Sequence, residues 1–363
     1  MIRDIINFFK QEKLYGLIFI TLIAIYAYAT LLPKPVEESP LTASAALEEF
    51  RTAEMKLQTQ FRGAGSWETF ASQQPVVARI FQGLAFFASG VFSLGLVINL
   101  LLFVNPTFRR HLNSEIDPGS FSDWKLSMVF KFLMLFMSSS LALSFIVASI
   151  HKYLLPDVSV NFFLLLQTTI VDLSCFGIIA MILWRAGGKL QAVGFRVPRS
   201  GWLREVGYGI AGYVTVYPLF VVVLVFLIIV SNFLAFEPPP HPLVSVFLEE
   251  GERSSRIIIY SILVGTLVGP VFEEMFFRGF CYPIFKKRWG SGVSMVVTSM
   301  FFASIHQNIF AFWPIFVLGV GLNYLYEKRK CLIGPIVLHV VHNTVFISYF
   351  FLAKRMVAAG AGG

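Results

Sequence analysis

The chain has 363 residues, of which 56% are hydrophobic and only 14% are charged, and its formal net charge is +8. A soluble globular protein carries about 25% charged residues, so this composition excludes a soluble domain. The apolar residues, which include 39 Phe, lie in many long continuous runs. Such runs predict an all-α, polytopic transmembrane helical bundle, because outer-membrane barrels show short segments of alternating polarity instead.

A membrane-spanning helix needs about 20 apolar residues. This rule predicts eight to nine spanning helices, and the first run lacks a signal-peptide cleavage pattern, so we expect it to be retained. In chain order the predicted spans are 14–32, 80–104, 126–150, 161–184, 206–233, 257–285, 292–311, 313–327 and 332–353.

The polar segments suggest how the chain is organised. We predict an N-terminal transmembrane region at 1–190, a second transmembrane domain at 191–353 and a short tail at 354–363. The N-terminal region contains an extracytoplasmic polar segment at 33–75. Within it, apolar residues recur at helical spacing from Ala43 to Phe61, which predicts a helix on the surface.

The basic residues lie at the ends of the apolar runs, and this pattern indicates membrane topology. It assigns to the cytoplasm the loops that carry Arg3, Lys10, Lys13, Arg109, Arg110, Arg185, Lys189, Arg196, Arg199, Arg204, Lys286, Lys287, Arg288, Lys328, Arg329 and Lys330. The acidic loop at 236–256 falls on the opposite side. Lys354 and Arg355 fit this pattern less well, so the count of nine stays open.

Several partners are not expected from this sequence. The basic residues form no patch with interleaved aromatic residues, so no nucleic acid partner is predicted. Cys175, Cys281 and Cys331 are far apart and odd in number, which implies neither a disulfide framework nor a thiolate metal site. The oligomeric state is unknown from the sequence.

Ionisable residues inside a span are costly and therefore informative. Lys131 lies close enough to a helix end for its ammonium group to reach the membrane interface. Asp172 lies near the middle of a span, either as a structural hydrogen-bond partner or as a functional group. The other such residues are concentrated in the last quarter of the chain: Glu273, Glu274, Arg278, His306, His339, His342 and Asn343.

Helical spacing predicts how these polar residues are arranged. Glu274 and Arg278 are four residues apart and can form an ion pair, while Glu273 points about 100° away toward another helix. His339 and Asn343 are also four residues apart and share a face. Gly269 and Pro270 are expected to kink or open the helix beside the carboxylates.

This combination of groups suits the hydrolysis of an amide bond. A carboxylate and an imidazole can deprotonate a water molecule, and an imidazole and an amide can donate hydrogen bonds to an oxyanion. No H-E-x-x-H motif is present, although a zinc site formed by glutamate and two histidines on three helices stays geometrically possible.

At these residues the sequence resembles the CPBP intramembrane proteases, which include type II CAAX prenyl proteases and the bacterial Abi proteins. The matching segments are Pro270–Gly279 for the E-E-x-x-x-R motif, Phe302–His306 for F-x-x-x-H and His339–Asn343 for H-x-x-x-N. The glycine-bearing run Phe316–Tyr326 is also similar. The resemblance covers about Val193 to Tyr349 and leaves the first 190 residues unmatched.

The resemblance implies catalytic roles for six residues. Glu273 and His306 would activate a water molecule, His339 and Asn343 would form the oxyanion hole, and Glu274 and Arg278 would support Glu273. His342 has no motif counterpart and is expected to be a packing residue. A metal-free mechanism without cofactor is favoured, with zinc held by Glu273, His306 and His339 as the alternative.

Two other functions stay open from the sequence: a proton-coupled membrane transporter, or a non-catalytic scaffold or immunity protein with the same fold. For the protease, the expected partners are membrane lipid and a peptide or protein substrate, such as a prenylated C-terminal tail. The expected location is a bacterial cytoplasmic membrane, or the endoplasmic reticulum in a eukaryote.

Overall fold

A computed structural model describes residues 8–31, 45–60, 66–113, 124–185, 193–196, 198, 201–236, 242–250 and 254–361. Within these ranges the regular structure is helical, and no β-strand occurs. The main helices are α1 (Lys13–Leu31), α2 (Ala45–Gln60), α3 (Ser66–Gln73), α4 (Pro75–Val104), α5 (Pro106–His111), α6 (Leu126–Tyr153), α7 (Val160–Arg185), α8 (Trp202–Phe233), α9 (Pro242–Glu249), α10 (Ser255–Ser304), α11 (Ile309–Arg329) and α12 (Ile333–Ala361).

The long helices confirm a polytopic helical membrane bundle. In the described ranges, seven helices (α4, α6, α7, α8, α10, α11 and α12) are long and apolar enough to cross a membrane, and α1 adds a shorter apolar helix. Within α10, Gly290 has φ +74° and ψ 172°, a conformation that favours glycine, and it divides the helix at a kink. The two arms of α10, 255–289 and 291–304, account for the predicted sixth and seventh spans.

Two predicted helix ends were wrong. The seventh span was expected to continue to residue 311, but α10 ends at Ser304 and His306 lies in the following turn. The reason is Asn308, whose side chain accepts hydrogen bonds from Phe310 N and Ala311 N and caps a new helix. The ninth span was expected to end at 353, but α12 continues to Ala361, so most of the predicted tail is helical.

The loops gather at two ends of the bundle. At one end Arg329 Nη1 donates to Leu112 O (2.8 Å), Lys328 Nζ contacts Asn113 Oδ1 (3.2 Å), and Leu332 N donates to Gly194 O (3.0 Å). The predicted cytoplasmic segments that follow α4, α7 and α11 therefore lie at the same end of the bundle. Among the residues used for that prediction, Arg3, Lys189 and Arg199 are outside the described ranges.

The opposite end is formed by the acidic loop and the surface helix. Asn161 Nδ2 donates to Glu249 Oε2 (2.9 Å), and Lys354 Nζ contacts Phe247 O (3.4 Å). The predicted surface helix is confirmed as α2, and it packs on α12 through buried Leu47 and half-buried Phe50. The rest of the predicted polar segment is described only from residue 66 onward.

The Lys131 side chain forms a contact that the sequence did not reveal. Its ammonium group forms an ion pair with Glu12 Oε1 (2.5 Å), just before α1, and lies over the Tyr15 ring. This contact ties α1 to α6. An ion pair was not predicted because Glu12 and Lys131 are distant in sequence.

Candidate active site

The two adjacent glutamates lie on a helix with unusual local geometry. In α10, the short α-helical segment Gly269–Glu274 is flanked by two π-helical segments, Val264–Val268 and Met275–Cys281. Single π-helical turns are rare and frequently occur at functional sites. At Gly269 and Pro270, where the sequence predicted a kink or an opening, the helix passes from one π-helical segment through a short α-helical segment into the next.

Pro270 explains why the side chain of Asn343, a predicted oxyanion donor, forms a hydrogen bond with the backbone of α10. In the first π-helical segment, Gly269 N donates to Val264 O, five residues earlier. The next bond in this register would join residue 270 to Gly265 O, but proline has no N–H. Asn343 Nδ2 on α12 donates to Gly265 O instead, at 2.7 Å. The Asn343 side chain thus replaces the missing backbone donor and holds α12 to α10.

Glu274 is the centre of a buried charged cluster. Its Oε1 atom accepts a hydrogen bond from Arg278 Nη1 (2.8 Å), which confirms the predicted ion pair, and lies 2.8 Å from His339 Nδ1 on α12. The side chains of Glu274 and Arg278 are fully buried, and that of His339 is 4% exposed. Glu273 and Glu274 lie on either side of His339, so both carboxylates face α12.

Arg278 is held in place by neighbouring helices as well as by Glu274. Its Nη2 donates to Gly319 O on α11 (3.2 Å), and its guanidinium lies 4.6 Å from the centre of the Phe302 ring. Gly319 also lets α11 pack closely against the second arm of α10, since a Cβ atom there would lie only 3.1 Å from Ser299 Cβ. A buried cation is stable only when it is paired and hydrogen-bonded, and these contacts fix the guanidinium relative to three helical segments.

Glu273 is the more accessible carboxylate. Its side chain is 30% exposed, and His339 Nε2 lies 3.7 Å from its Oε2 atom. This Oε2 atom is buried and, within the described structure, has no hydrogen-bond partner. Asp172 on α7 lies near enough for its charge to act on Glu273, and its Oδ2 atom is likewise buried without a partner there. Glu273 therefore has unused hydrogen-bonding capacity at the edge of the cluster.

His306 approaches this cluster through an aromatic ring. Its Nδ1 atom lies 2.8 Å from Phe302 O, and its ring packs edge-on against Phe302 at 5.1 Å. The ring of His339 packs against the same Phe302 at 5.7 Å. Among the described residues, His306 makes no hydrogen bond or ion pair with Glu273 or His339. When Nδ1 donates to the carbonyl, Nε2 carries a lone pair and can accept a proton.

The alternative zinc ligands Glu273, His306 and His339 do not converge on one point in the described structure. In the part of the chain that the structure describes, no three His, Cys, Asp or Glu side chains are grouped to hold a metal ion. His339 also has its two ring nitrogens directed at two different carboxylates. The geometry of these residues therefore fits an acid–base cluster better than a three-ligand zinc site.

The site includes contacts that sequence reasoning missed. Phe302 lies against Arg278, His306 and His339, although the sequence suggested it only as the first residue of a motif. The carbonyls of Gly265 and Gly319 accept side-chain hydrogen bonds, which a sequence does not reveal. His342 is confirmed as a packing residue, since its ring contacts Phe220 (4.9 Å) and Tyr213 (6.0 Å).

Fold and site together define a helical membrane protein with a buried cluster of carboxylates, imidazole and guanidinium. Residues 255–345 of this chain match the family model described as type II CAAX prenyl endopeptidase Rce1-like. All six predicted catalytic residues lie in that match. The resemblance drawn from the sequence is thus confirmed for this quarter of the chain.

Curated relatives are distant. The chain is 27% identical over 99 residues to an uncharacterized 24.3 kDa protein of Escherichia coli, covering 26% of this chain and 46% of that protein. It is 25% identical over 114 residues to UPF0177 protein YaiF of Lactococcus lactis, covering 30% and 49%. It is 24% identical over 86 residues to a Bacillus subtilis protein named "Putative membrane peptidase YdiL", covering 24% and 35%. The matches span about half of these relatives or less.

No solved structure matches this chain. The family model and the Bacillus subtilis relative indicate a membrane peptidase at the level of distant family similarity.

Proposed function

We propose that this protein is an intramembrane endopeptidase that hydrolyses a peptide bond with a water molecule activated by Glu273 and His306. One observation carries the proposal: two glutamates on α10 flank His339 on α12, and Glu273, the one with a partly exposed side chain, keeps an oxygen without a partner in the described structure. Such a cluster would be costly in a membrane if it served packing alone.

Glu273 and His306 are suited to activate the water molecule. The unpartnered Glu273 Oε2 can accept a proton from water, and the free Nε2 of His306 can accept a hydrogen bond from it. As the water oxygen attacks the carbonyl carbon of the peptide bond, its proton moves to Glu273. The same proton then passes to the leaving nitrogen as the carbon–nitrogen bond breaks.

His339 and Asn343 are the proposed donors to the oxyanion. Because Nδ1 of His339 lies against Glu274, its Nε2 can donate to an oxyanion only when both ring nitrogens carry a proton. The cluster of two carboxylates, one guanidinium and one imidazolium is then neutral overall. Asn343 uses one amide hydrogen on Gly265 O and keeps a second for the oxyanion. Glu274 and Arg278 act as positioning residues for His339.

The substrate is proposed from the family model. Because the match is to type II CAAX prenyl endopeptidases, a prenylated C-terminal peptide is the first substrate to test, followed by tails of other membrane proteins. The reaction needs no metal in this proposal, since Glu273 and His306 supply the base. Activity that is lost on treatment with a chelator and regained with zinc alone would contradict this part of the proposal.

The deciding experiment uses the purified full-length protein in detergent. A farnesylated CAAX peptide and a panel of membrane-protein tails are incubated with wild type, Glu273→Gln and Glu249→Gln. Glutamine fills the volume of glutamate but cannot take a proton, so Glu273→Gln should abolish cleavage while the protein stays folded. Glu249→Gln is the matched control, because Glu249 lies in the acidic loop at one end of the bundle and away from the cluster. Cleavage by this variant should equal that of wild type. Equal cleavage by wild type and Glu273→Gln would refute the assignment.

A further inference from the structure

A groove with a volume of about 800 Å³ lies on the surface of the bundle between α4, α8 and α11. Most of its lining is apolar, and the small side chains of Ala211 and Thr215 on α8 leave space at its floor. Neighbouring helices pack closely on the same stretch of α8, since a Cβ atom at Gly95 would lie 2.2 Å from Val214 O. The α4 and α8 walls of the groove therefore pack closely against each other.

The groove ends at a fixed polar rim. Arg109 and His111 on the short helix α5 line this end together with Tyr208 and Tyr324. The rim is held to the bundle because Tyr208 Oη donates to His111 O (3.4 Å) and Arg329 donates to Leu112 O (2.8 Å). Tyrosine and arginine are typical of the headgroup level of a membrane. None of the described residues that line the groove is acidic.

The groove lies away from the candidate active site. On α11, Gly319 O accepts the hydrogen bond from Arg278, whereas Val317 and Gly321 line the groove. These two residues lie two positions from Gly319, which is about 200° around a helix. An occupant of the groove therefore lies on the other side of α11 from the proposed chemistry.

We propose that this groove binds an anionic phospholipid, with an acyl chain against α8 and the phosphate beside Arg109. The apolar lining matches an acyl chain, and the volume lies in the range of ligand sites. An arginine near the headgroup favours anionic over neutral lipids by about 1 kcal/mol, which is a factor of about 5 in affinity. This site is separate from the proposed peptidase reaction and does not depend on it.

The test compares two neighbouring arginines. Wild type, Arg109→Gln and Arg110→Gln are purified in mild detergent, and bound dioleoyl-phosphatidylglycerol and dioleoyl-phosphatidylcholine are counted by native mass spectrometry. Arg109 lines the groove, whereas Arg110 is not among its lining residues. We expect Arg109→Gln to weaken phosphatidylglycerol binding about fivefold, with little change in phosphatidylcholine binding and no change in Arg110→Gln.

A second variant tests the position of the acyl chain. Ala211→Phe fills the floor of the groove and should lower the binding of both lipids, while elution as a monodisperse species shows that the protein is folded. Equal binding of both lipids by wild type, or unchanged phosphatidylglycerol binding in Arg109→Gln, would overturn the proposal. Displacement of the lipid by a farnesylated peptide would also overturn it and assign the groove to substrate.

Discussion

The hydrogen bond between Asn343 and Gly265 yields a quantitative prediction. Asn343→Ala removes the side-chain donor to the Gly265 carbonyl beside Pro270. Leaving a buried polar group unsatisfied costs about 1 to 3 kcal/mol, so we expect the free energy of unfolding to fall by that amount. In a membrane the carbonyl has little access to water, which favours the upper part of the range.

Pro270→Ala supplies the matched background. Alanine restores a backbone N–H at residue 270, which can donate to Gly265 O in the same five-residue register as the bond from Gly269 to Val264 O. Asn343→Ala should then cost less than about 1 kcal/mol, so the two substitutions should couple by about 1 to 2 kcal/mol. Reversible unfolding in mixed detergent micelles measures the free energy of unfolding of wild type, Asn343→Ala, Pro270→Ala and the double variant.

The same four variants separate stability from catalysis. If Asn343 also donates to the oxyanion, its removal should slow cleavage by about 10²- to 10³-fold in both backgrounds. We therefore expect the stability effect of Asn343→Ala to depend on Pro270 and the rate effect not to depend on it. An identical loss of stability in the presence of proline or alanine would refute the replacement of the missing backbone donor.

Three further predictions concern buried groups. Glu274→Gln should lower the free energy of unfolding by about 3 to 5 kcal/mol and also lower activity, because it leaves Arg278 buried without its counter-charge; an unfolding curve like that of wild type would contradict this. Asp172→Leu should stabilise the fold by about 1 to 3 kcal/mol, because it removes a buried carboxylate oxygen without a partner, and a loss of stability would show that Asp172 is paired. Burial and the adjacent Glu205 carboxylate raise the pKa of the Cys331 thiol to about 12, and Cys175 and Cys281 are also buried, so no cysteine of the folded protein should react with a maleimide at pH 8. Because the native cysteines should not react, single introduced cysteines can report the membrane orientation. Lys287→Cys should resist labelling from outside intact cells, whereas Asp157→Cys should be labelled. The reverse pattern would overturn the prediction that the basic loops face the cytoplasm.

The sequence by itself determined the class of fold and the ion pair of Glu274 with Arg278. Continuous apolar runs specify helices in a membrane because each backbone group must be satisfied within its own helix. The i,i+4 relation between Glu274 and Arg278 is a local property of a helix, and the ion pair follows from it directly. For the same reason the helix at Ala45–Gln60 could be predicted from its apolar spacing.

Only the tertiary structure decided how the helices face one another. The contact of His339 with Glu274, the packing of Phe302 between two histidines and the ion pair of Lys131 with Glu12 all join residues that are distant in sequence. The π-helical turns were also not predicted, because hydrophobic periodicity reports the average path of a helix and not a single wide turn. The missing N–H at Pro270 can be read from the sequence. The donor that replaces it, Asn343 Nδ2, lies 73 residues further along the chain, and only the packing of α12 on α10 places it beside Gly265 O.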